Sequence, residues 1–202
     1  MICVVDYGMG NLRSVSKALE RLGGEVEVSS DPLKLKQADK AVLPGVGAFG
    51  DACQELRKRK LFDPLREFIL KEKPFLGICL GLQLLFEESE ESAGEKGLGI
   101  CKGRVIRFHT AGLKIPHMGW NRLKIRDPNP SLLKGVRDQS YFYFVHSFYP
   151  IPGDPSLVVG TCTYGSEEFS AAVGRGKMWA TQFHPEKSQD DGLQILRNFI
   201  AL

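Results

Sequence analysis

Cysteine is scarce and scattered in this sequence. The five residues Cys3, Cys53, Cys79, Cys101 and Cys162 are odd in number and form no CxxC pair, which argues against a disulfide framework and a zinc knuckle and points to reduced thiols in a cytoplasmic setting. Long apolar runs are lacking too. The longest nearly apolar stretch, Pro74 to Phe86, is well below the ~20 residues of a membrane helix, and the first ten residues contain Asp6 but no basic group, unlike a secretion signal. A soluble chain is expected. Nor is there a strong excess of one charge: the formal net charge is +3. The largest basic cluster, Arg57 to Lys60, sits among Asp51, Glu55, Asp63 and Glu67, as on a solvated helix face rather than a nucleic-acid site. There is no internal repeat and no low-complexity linker.

What is present is ordinary globular material: 202 residues, 43% hydrophobic and 25% charged, enough for one sizeable α/β domain spanning 1–202. Over the first ninety residues, short apolar runs at Ile2–Asp6, Glu25–Ser29, Ala41–Leu43 and Phe75–Ile78 alternate with helical patterns, the rhythm of βαβ units. Asn11–Leu22 places Leu12, Val15, Ala18, Leu19 and Leu22 on one stripe, with Asn11 as the expected cap and Gly23 as the stop. Leu61–Lys71 is a similar helix with Asp63-Pro64 at its start. Beyond Gly97 the texture becomes β-rich, with strands expected at Val105–Phe108, Trp120–Ile125, Tyr141–Phe148, Leu157–Tyr164, Phe169–Val173 and Met178–Phe183, and a turn at Asp127-Pro128-Asn129-Pro130. Hairpins added to a parallel core are the expectation, and Leu193–Leu202 closes the chain as an amphipathic helix.

The strongest local signal is Gly77-Ile78-Cys79-Leu80-Gly81, which leads from an apolar strand into a helical pattern over Leu80–Glu90. G-x-C-x-G has the form of a nucleophile elbow, in which flanking glycines admit close backbone approach. A thiol there would face a helix N-terminus, whose N–H groups and dipole favour thiolate. The alternative is a buried structural cysteine.

Four histidines are available as a base: His109, His117, His146 and His184. Only His184 follows an apparent buried strand, at an edge where active sites of open α/β sheets collect. Pro185 keeps it out of the α region. In an extended His184-Pro185-Glu186 segment the carboxylate at i+2 would orient the ring; the plainer reading is a strand terminator with a solvated glutamate. Pro44-Gly45-Val46-Gly47 after the third strand offers a loop N–H at Gly47 which, with the N–H of Leu80, would bind an oxyanion; an ordinary glycine turn is the alternative. Gly8-Met9-Gly10 lacks the third glycine of a dinucleotide loop, since position 13 is Arg. Pro116–Asn121 and Tyr141–Tyr149 concentrate aromatic residues, favoured equally by an interface and by a packed core.

Together the elbow cysteine, the distant His-x-Glu, the upstream PGxG loop, PHMGWN and HPEKS resemble the class I (triad) glutamine amidotransferases, and within them the glutaminase subunits of imidazole glycerol phosphate synthases of histidine biosynthesis. The resemblance covers essentially the whole chain. It implies a flavodoxin-like α/β fold, an open and mostly parallel twisted sheet flanked by helices with additional antiparallel strands. It further implies Cys79 as nucleophile, His184 as general base and acid, Glu186 as the group orienting His184, and Gly47 and Leu80 as oxyanion donors. Gln83, Glu91 and the backbone around Ser147 would hold glutamine. Trp120, Asn121 and Tyr143 would lie at the contact with a cyclase subunit, a (β/α)8 barrel that receives the ammonia, with no metal or organic cofactor required. Phe148 stands where relatives often have Tyr, and Trp179-Ala180-Thr181 also departs from the usual pattern; neither touches the triad. Other readings predict different behaviour: an amidotransferase subunit serving pyridoxal phosphate or purine synthesis differs in partner, a free-standing cysteine hydrolase needs none, and a non-catalytic subunit would leave Cys79 inert.

Overall fold

The computed structural model describes residues 1–110, 112–126 and 130–202, so the expected turn at 127–130 lies largely outside the described residues. Along the chain the strands are β1 (Ile2–Val5), β2 (Val26–Ser29), β3 (Lys40–Gly45), β4 (Phe75–Cys79), β5 (Glu88–Ser89), β6 (Gly103–Arg107), β7 (His117–Arg122), β8 (Lys124–Ile125), β9 (Tyr141–His146), β10 (Phe148–Pro152), β11 (Val158–Tyr164), β12 (Glu167–Arg175) and β13 (Met178–Thr181). The helices are α1 (Leu12–Arg21), α2 (Pro32–Gln37), α3 (Phe49–Lys58), α4 (Phe62–Leu70), α5 (Leu80–Gln83) and α6 (Gln189–Ala201). The main sheet has the order β2-β1-β3-β4-β13-β12-β11-β8. Its first five strands are parallel, and β12, β11 and β8 continue it in antiparallel fashion. Two smaller sheets, β10-β6-β5 and β7-β9, lie beside it.

Strand periodicity sorts the core into two layers. Cys3, Val5, Ala41 and Leu43 point to one face with Leu35 of α2, Leu56 of α3 and Leu65 of α4. Ile2, Val4, Val42 and Leu76 point to the other with Val15 and Leu19 of α1 and Ile195 and Phe199 of α6. Burial on both faces is why these strands read as continuous apolar runs rather than alternating ones. None of the helices is long and apolar enough to cross a membrane among the described residues.

Several expectations need correction. Asn11 precedes α1 but makes no side-chain capping bond; Gly23, at φ +85°, does end the helix, its N–H reaching Glu20 O at 2.9 Å. The basic cluster straddles the end of α3 rather than lying along a face: Lys58 and Arg59 both pair with Glu55, Arg57 pairs with Glu95, and Lys60 turns to φ 58°. The expected strand Trp120–Ile125 is two strands in different sheets, because Leu123 is fully buried and its N–H bonds Ser140 O instead. Tyr141–Phe148 likewise breaks at Ser147, whose carbonyl accepts from Phe108 N, leaving β9 to pair with β7 and β10 with β6. The last helix begins at Gln189, four residues before the expected start, with Asp190 and Asp191 in its first turn where acidic side chains suit the dipole.

The largest correction concerns Leu80–Glu90, which is helical only to Gln83. The carbonyls that would continue the helix are claimed from outside it: Leu84 O accepts from Leu98 N at 2.8 Å, and Leu85 O from both Ile100 N and Cys101 N at 2.9 Å. That docking requires glycine at position 97, where a Cβ would overlap the Phe86 carbonyl oxygen and lie 3.0 Å from that of Leu84. Gly97→Ala should therefore cost about 2–4 kcal/mol of unfolding free energy, measured by urea denaturation; a loss below ~0.5 kcal/mol would show that the segment docks by some other contact.

Candidate active site

The site grows from the C-terminal ends of two adjacent parallel strands. β4 and β13 run side by side with Ile78 opposite Thr181, so Cys79 at the end of β4 and the Gln182–His184 segment after β13 emerge together. Cys79 adopts φ 55°, ψ −106°, a left-handed conformation that an L residue holds only when its surroundings enforce it. The enforcement is visible at both neighbouring glycines. A Cβ on Gly77 would stand 2.6 Å from the Gly81 carbonyl oxygen, and one on Gly81 would collide with the Leu43 carbonyl oxygen of β3. The G-x-C-x-G spacing is thus the space that a sharp strand-to-helix turn needs when it packs against a neighbouring strand. The helix it enters has four residues, so any favourable field at the sulfur comes from local N–H groups rather than from a long dipole.

His184 is 2% exposed. Its backbone is clamped by β9 and by a serine: His184 N donates to Tyr143 O at 3.0 Å, Ser188 Oγ donates to His184 O at 2.6 Å, and Tyr143 N donates to Ser188 Oγ at 3.0 Å. Pro185–Lys187 forms a 3₁₀ turn rather than the expected extended segment. The turn still brings Glu186 round, and its buried carboxylate accepts from His184 Nδ1 at 2.9 Å. This leaves Nε2 as the free edge of the ring, buried and without a formed hydrogen bond. Burial alone would lower the His184 pKa; the Cys79 sulfur and the Glu186 carboxylate outweigh it and push the value up to about 10.

Beside the sulfur lies a pocket of about 270 Å³, and its walls include Gly47, Leu80, Gln83, Glu91 and Ser147. All five residues expected to bind oxyanion or substrate therefore surround one cavity with Cys79. Gly47 has φ +101°. Glu91 is also fixed to the frame, since its Oε2 accepts from Phe49 N at 2.7 Å and caps α3, whose own N-cap position carries only Ala48. Gln83 donates from Nε2 to Phe148 O at 2.9 Å and to Gln182 Oε1 at 3.2 Å.

No motif in the sequence marks Gln182 by itself as a site residue. It is fully buried, and its Nε2 faces Cys79 Sγ at 3.7 Å. Its position opposite the elbow follows from strand register, which no local motif announces. Tyr7 is similar: its buried hydroxyl has no partner among the described residues, and its pKa is raised by burial and then by Cys79.

The residues expected at a partner surface lie on the β7-β9 sheet. Met118 and Trp120 point outward, 63% and 46% exposed, and the Trp120 and Tyr143 rings meet edge to face at 6.1 Å. Tyr143 also sits 6.5 Å from the His184 ring, with Lys187 Nζ over it at 5.7 Å. Asn121 is turned inward, its amide donating to Thr163 O at 2.9 Å. Among the described residues no group of three or more His, Cys, Asp or Glu could hold a metal ion.

The raised pKa of His184 has a signed consequence for stability. With a folded value near 10 against ~6.5 when unfolded, the contribution is complete below the unfolded value and is lost as pH rises through the folded one. Replacing Glu186 by Gln removes part of it. The gap in melting temperature between wild type and Glu186→Gln should be widest near pH 6 and narrow steadily toward pH 10; a gap independent of pH would show that the carboxylate does not hold a charged ring.

The family model Glutamine amidotransferase class-I matches residues 3–202. The chain is 54% identical over 200 residues to the imidazole glycerol phosphate synthase subunit HisH of Rhodopirellula baltica, covering 98% of this chain and 96% of that one. It is 51% identical over 205 residues to the subunit of the same name from Syntrophotalea carbinolica, covering 98% of each. Among solved structures, PurLQS from Thermotoga maritima superposes with a TM-score of 0.78 at 22% identity over 99% of this chain and 97% of that one. A glutamine amidotransferase crystal structure gives 0.76 at 20% identity over the whole of both chains. Those two likenesses concern the fold, whereas the family match and the two subunits concern descent: the chain belongs to the class I glutamine amidotransferase family.

Proposed function

We propose that this chain is the glutaminase subunit of an imidazole glycerol phosphate synthase, acting as a single domain that hydrolyses glutamine and passes ammonia to a cyclase subunit with a (β/α)8 barrel. The relatives that are half identical over nearly their full length support the partner. The observation that supports the chemistry is the placement of Cys79 in a strained elbow beside a pocket, with His184 held by Glu186 next to it.

In this reading the Cys79 sulfur attacks the side-chain carboxamide carbon of glutamine, and the carbonyl π electrons move to oxygen. The N–H groups of Gly47 and Leu80 receive that oxyanion; one such donor is typically worth ~10²–10³ in rate. His184, charged at neutral pH, gives its Nε2 proton to the leaving nitrogen as the C–N bond breaks, releasing ammonia and leaving a γ-glutamyl thioester. The neutral ring then takes a proton from water as the water oxygen bonds to the thioester carbon, the C–S bond breaks to return the thiolate beside a charged His184, and the γ-carboxylic acid product gives up its proton to solvent and departs as glutamate. Glu186 holds the Nδ1 side of the ring throughout and keeps Nε2 aimed at the sulfur. The Glu91 carboxylate, with one oxygen on the α3 N-terminus, has its other oxygen available for the substrate ammonium. The exposed Met118 and Trp120 on β7 supply apolar area suited to a partner surface.

Cys79→Ala should remove glutamine-dependent synthesis by the reconstituted enzyme, a loss of at least ~10³ in rate, and leave synthesis from added ammonium salt within about twofold. Continued release of glutamate by the variant at the wild-type rate would end the assignment.

A further inference from the structure

Two histidines that this mechanism does not use are buried side by side. His117 of β7 and His146 of β9 are cross-strand neighbours in the sheet register, 3% and 6% exposed. His117 stacks on Phe144, with centroids 5.0 Å apart, and packs 4.2 Å from Tyr164; His146 lies 5.2 Å from Phe108 and 5.1 Å from Phe169. This aromatic box pushes both rings down, His117 to about 4 and His146 to about 3, chiefly by burial, so both are neutral at physiological pH.

Neutral imidazoles carry one donor and one acceptor, and the partners decide which nitrogen is which. His146 Nδ1 meets Phe148 O at 2.9 Å. A carbonyl only accepts, so Nδ1 bears the proton and Nε2 is bare. His117 Nδ1 lies 3.1 Å from that bare Nε2 and therefore donates, which leaves its own Nε2 bare as well. Asn121 Nδ2 approaches this nitrogen at 3.2 Å and donates to it. The chain thus runs in one direction: Asn121 to His117, His117 to His146, His146 to the Phe148 carbonyl. That carbonyl also accepts from Gln83, and the pocket is lined by His146, Phe148 and Gln83 together.

At the outer end, Gly119 lies between His117 and Asn121 with φ +130°, and the Asn121 amide comes within 3.2 Å of the His117 ring. The structure assigns to His117 and His146 a positioning role: an uncharged relay of fixed tautomers that ties Asn121, on the strand carrying the outward Met118 and Trp120, to the Phe148 and Gln83 wall of the glutamine pocket. This rests on the glutaminase reading of that pocket.

The first test needs no substitution. In the full chain labelled with ¹⁵N-histidine at neutral pH, both rings should be Nδ1–H tautomers with unprotonated Nε2, and a through-hydrogen-bond ¹⁵N–¹⁵N coupling should join His117 Nδ1 to His146 Nε2. An Nε2–H tautomer or a charged ring at either position overturns the relay. The second test is kinetic, in the complex at saturating partner. His146→Phe should raise the glutamine KM about five- to tenfold with a smaller fall in kcat. His146→Asn, whose amide can still donate to Phe148 O, should recover most of that loss. Asn121→Asp, which places an acceptor against a bare nitrogen, should raise KM in the same sense. Unchanged KM in His146→Phe, or an Asn variant no better than Phe, contradicts the role. Wild-type enzyme that released no glutamate would instead overturn the glutaminase reading, while the tautomer result would stand by itself.

Discussion

The tight approach of β3, β4 and α5 is the constraint on which the site depends. Cys79 can hold its left-handed turn because hydrogen atoms, not methyl groups, face backbone at Gly77 and Gly81, where side chains would meet the Gly81 and Leu43 carbonyls. The turn fixes where the sulfur stands relative to β13, and β13 delivers Gln182 and then His184 to it by register alone. A strained conformation of this sort persists only where the surroundings over-determine it, and the buried parallel strands β1, β4 and β13 provide that rigidity.

Electrostatics then separates the three buried histidines of the molecule into two kinds. His184 has a buried carboxylate on Nδ1 and a sulfur near Nε2, and is held charged; His117 and His146 have aromatic rings and neutral partners around them, and are held uncharged. All three are desolvated, so the difference lies in the partners rather than in burial. Ser188, through Tyr143 N and His184 O, ties the charged ring to β9, the strand that also carries His146. The candidate chemistry and the candidate partner surface therefore share one strand.

Legibility in the sequence followed the range of the interactions involved. The alternation of β1 to β4 with helices, the stripe of α1 and the glycine spacing around Cys79 are local, and periodicity or motif exposes them. Helix length after Cys79 was illegible because the carbonyls of Leu84 and Leu85 are taken by residues 98–101, a tertiary competition that propensity does not record. The break at Ser147 and the separation of β7 from β8 have the same origin: each half of an apparently continuous strand finds a different partner. Gln182 and the His117–His146 pair were hidden for a related reason, since cross-strand register assigns their neighbours and no spacing along the chain encodes it. Gln83, Glu91 and Ser147 are implied only by the family resemblance, and their shared pocket with Cys79 is a property of the fold that composition does not supply.

All five cysteines are buried, but Cys79 alone among them lines the pocket that the proposed function assigns to glutamine. Treating the reconstituted enzyme with the glutamine analogue 6-diazo-5-oxo-norleucine, and mapping the adduct by peptide mass spectrometry, tests that assignment directly. A single adduct should form on Cys79, in step with loss of glutamate release, and excess glutamine should prevent it. Labelling of Cys3, Cys53, Cys101 or Cys162 instead, or loss of activity with Cys79 unmodified, would contradict it.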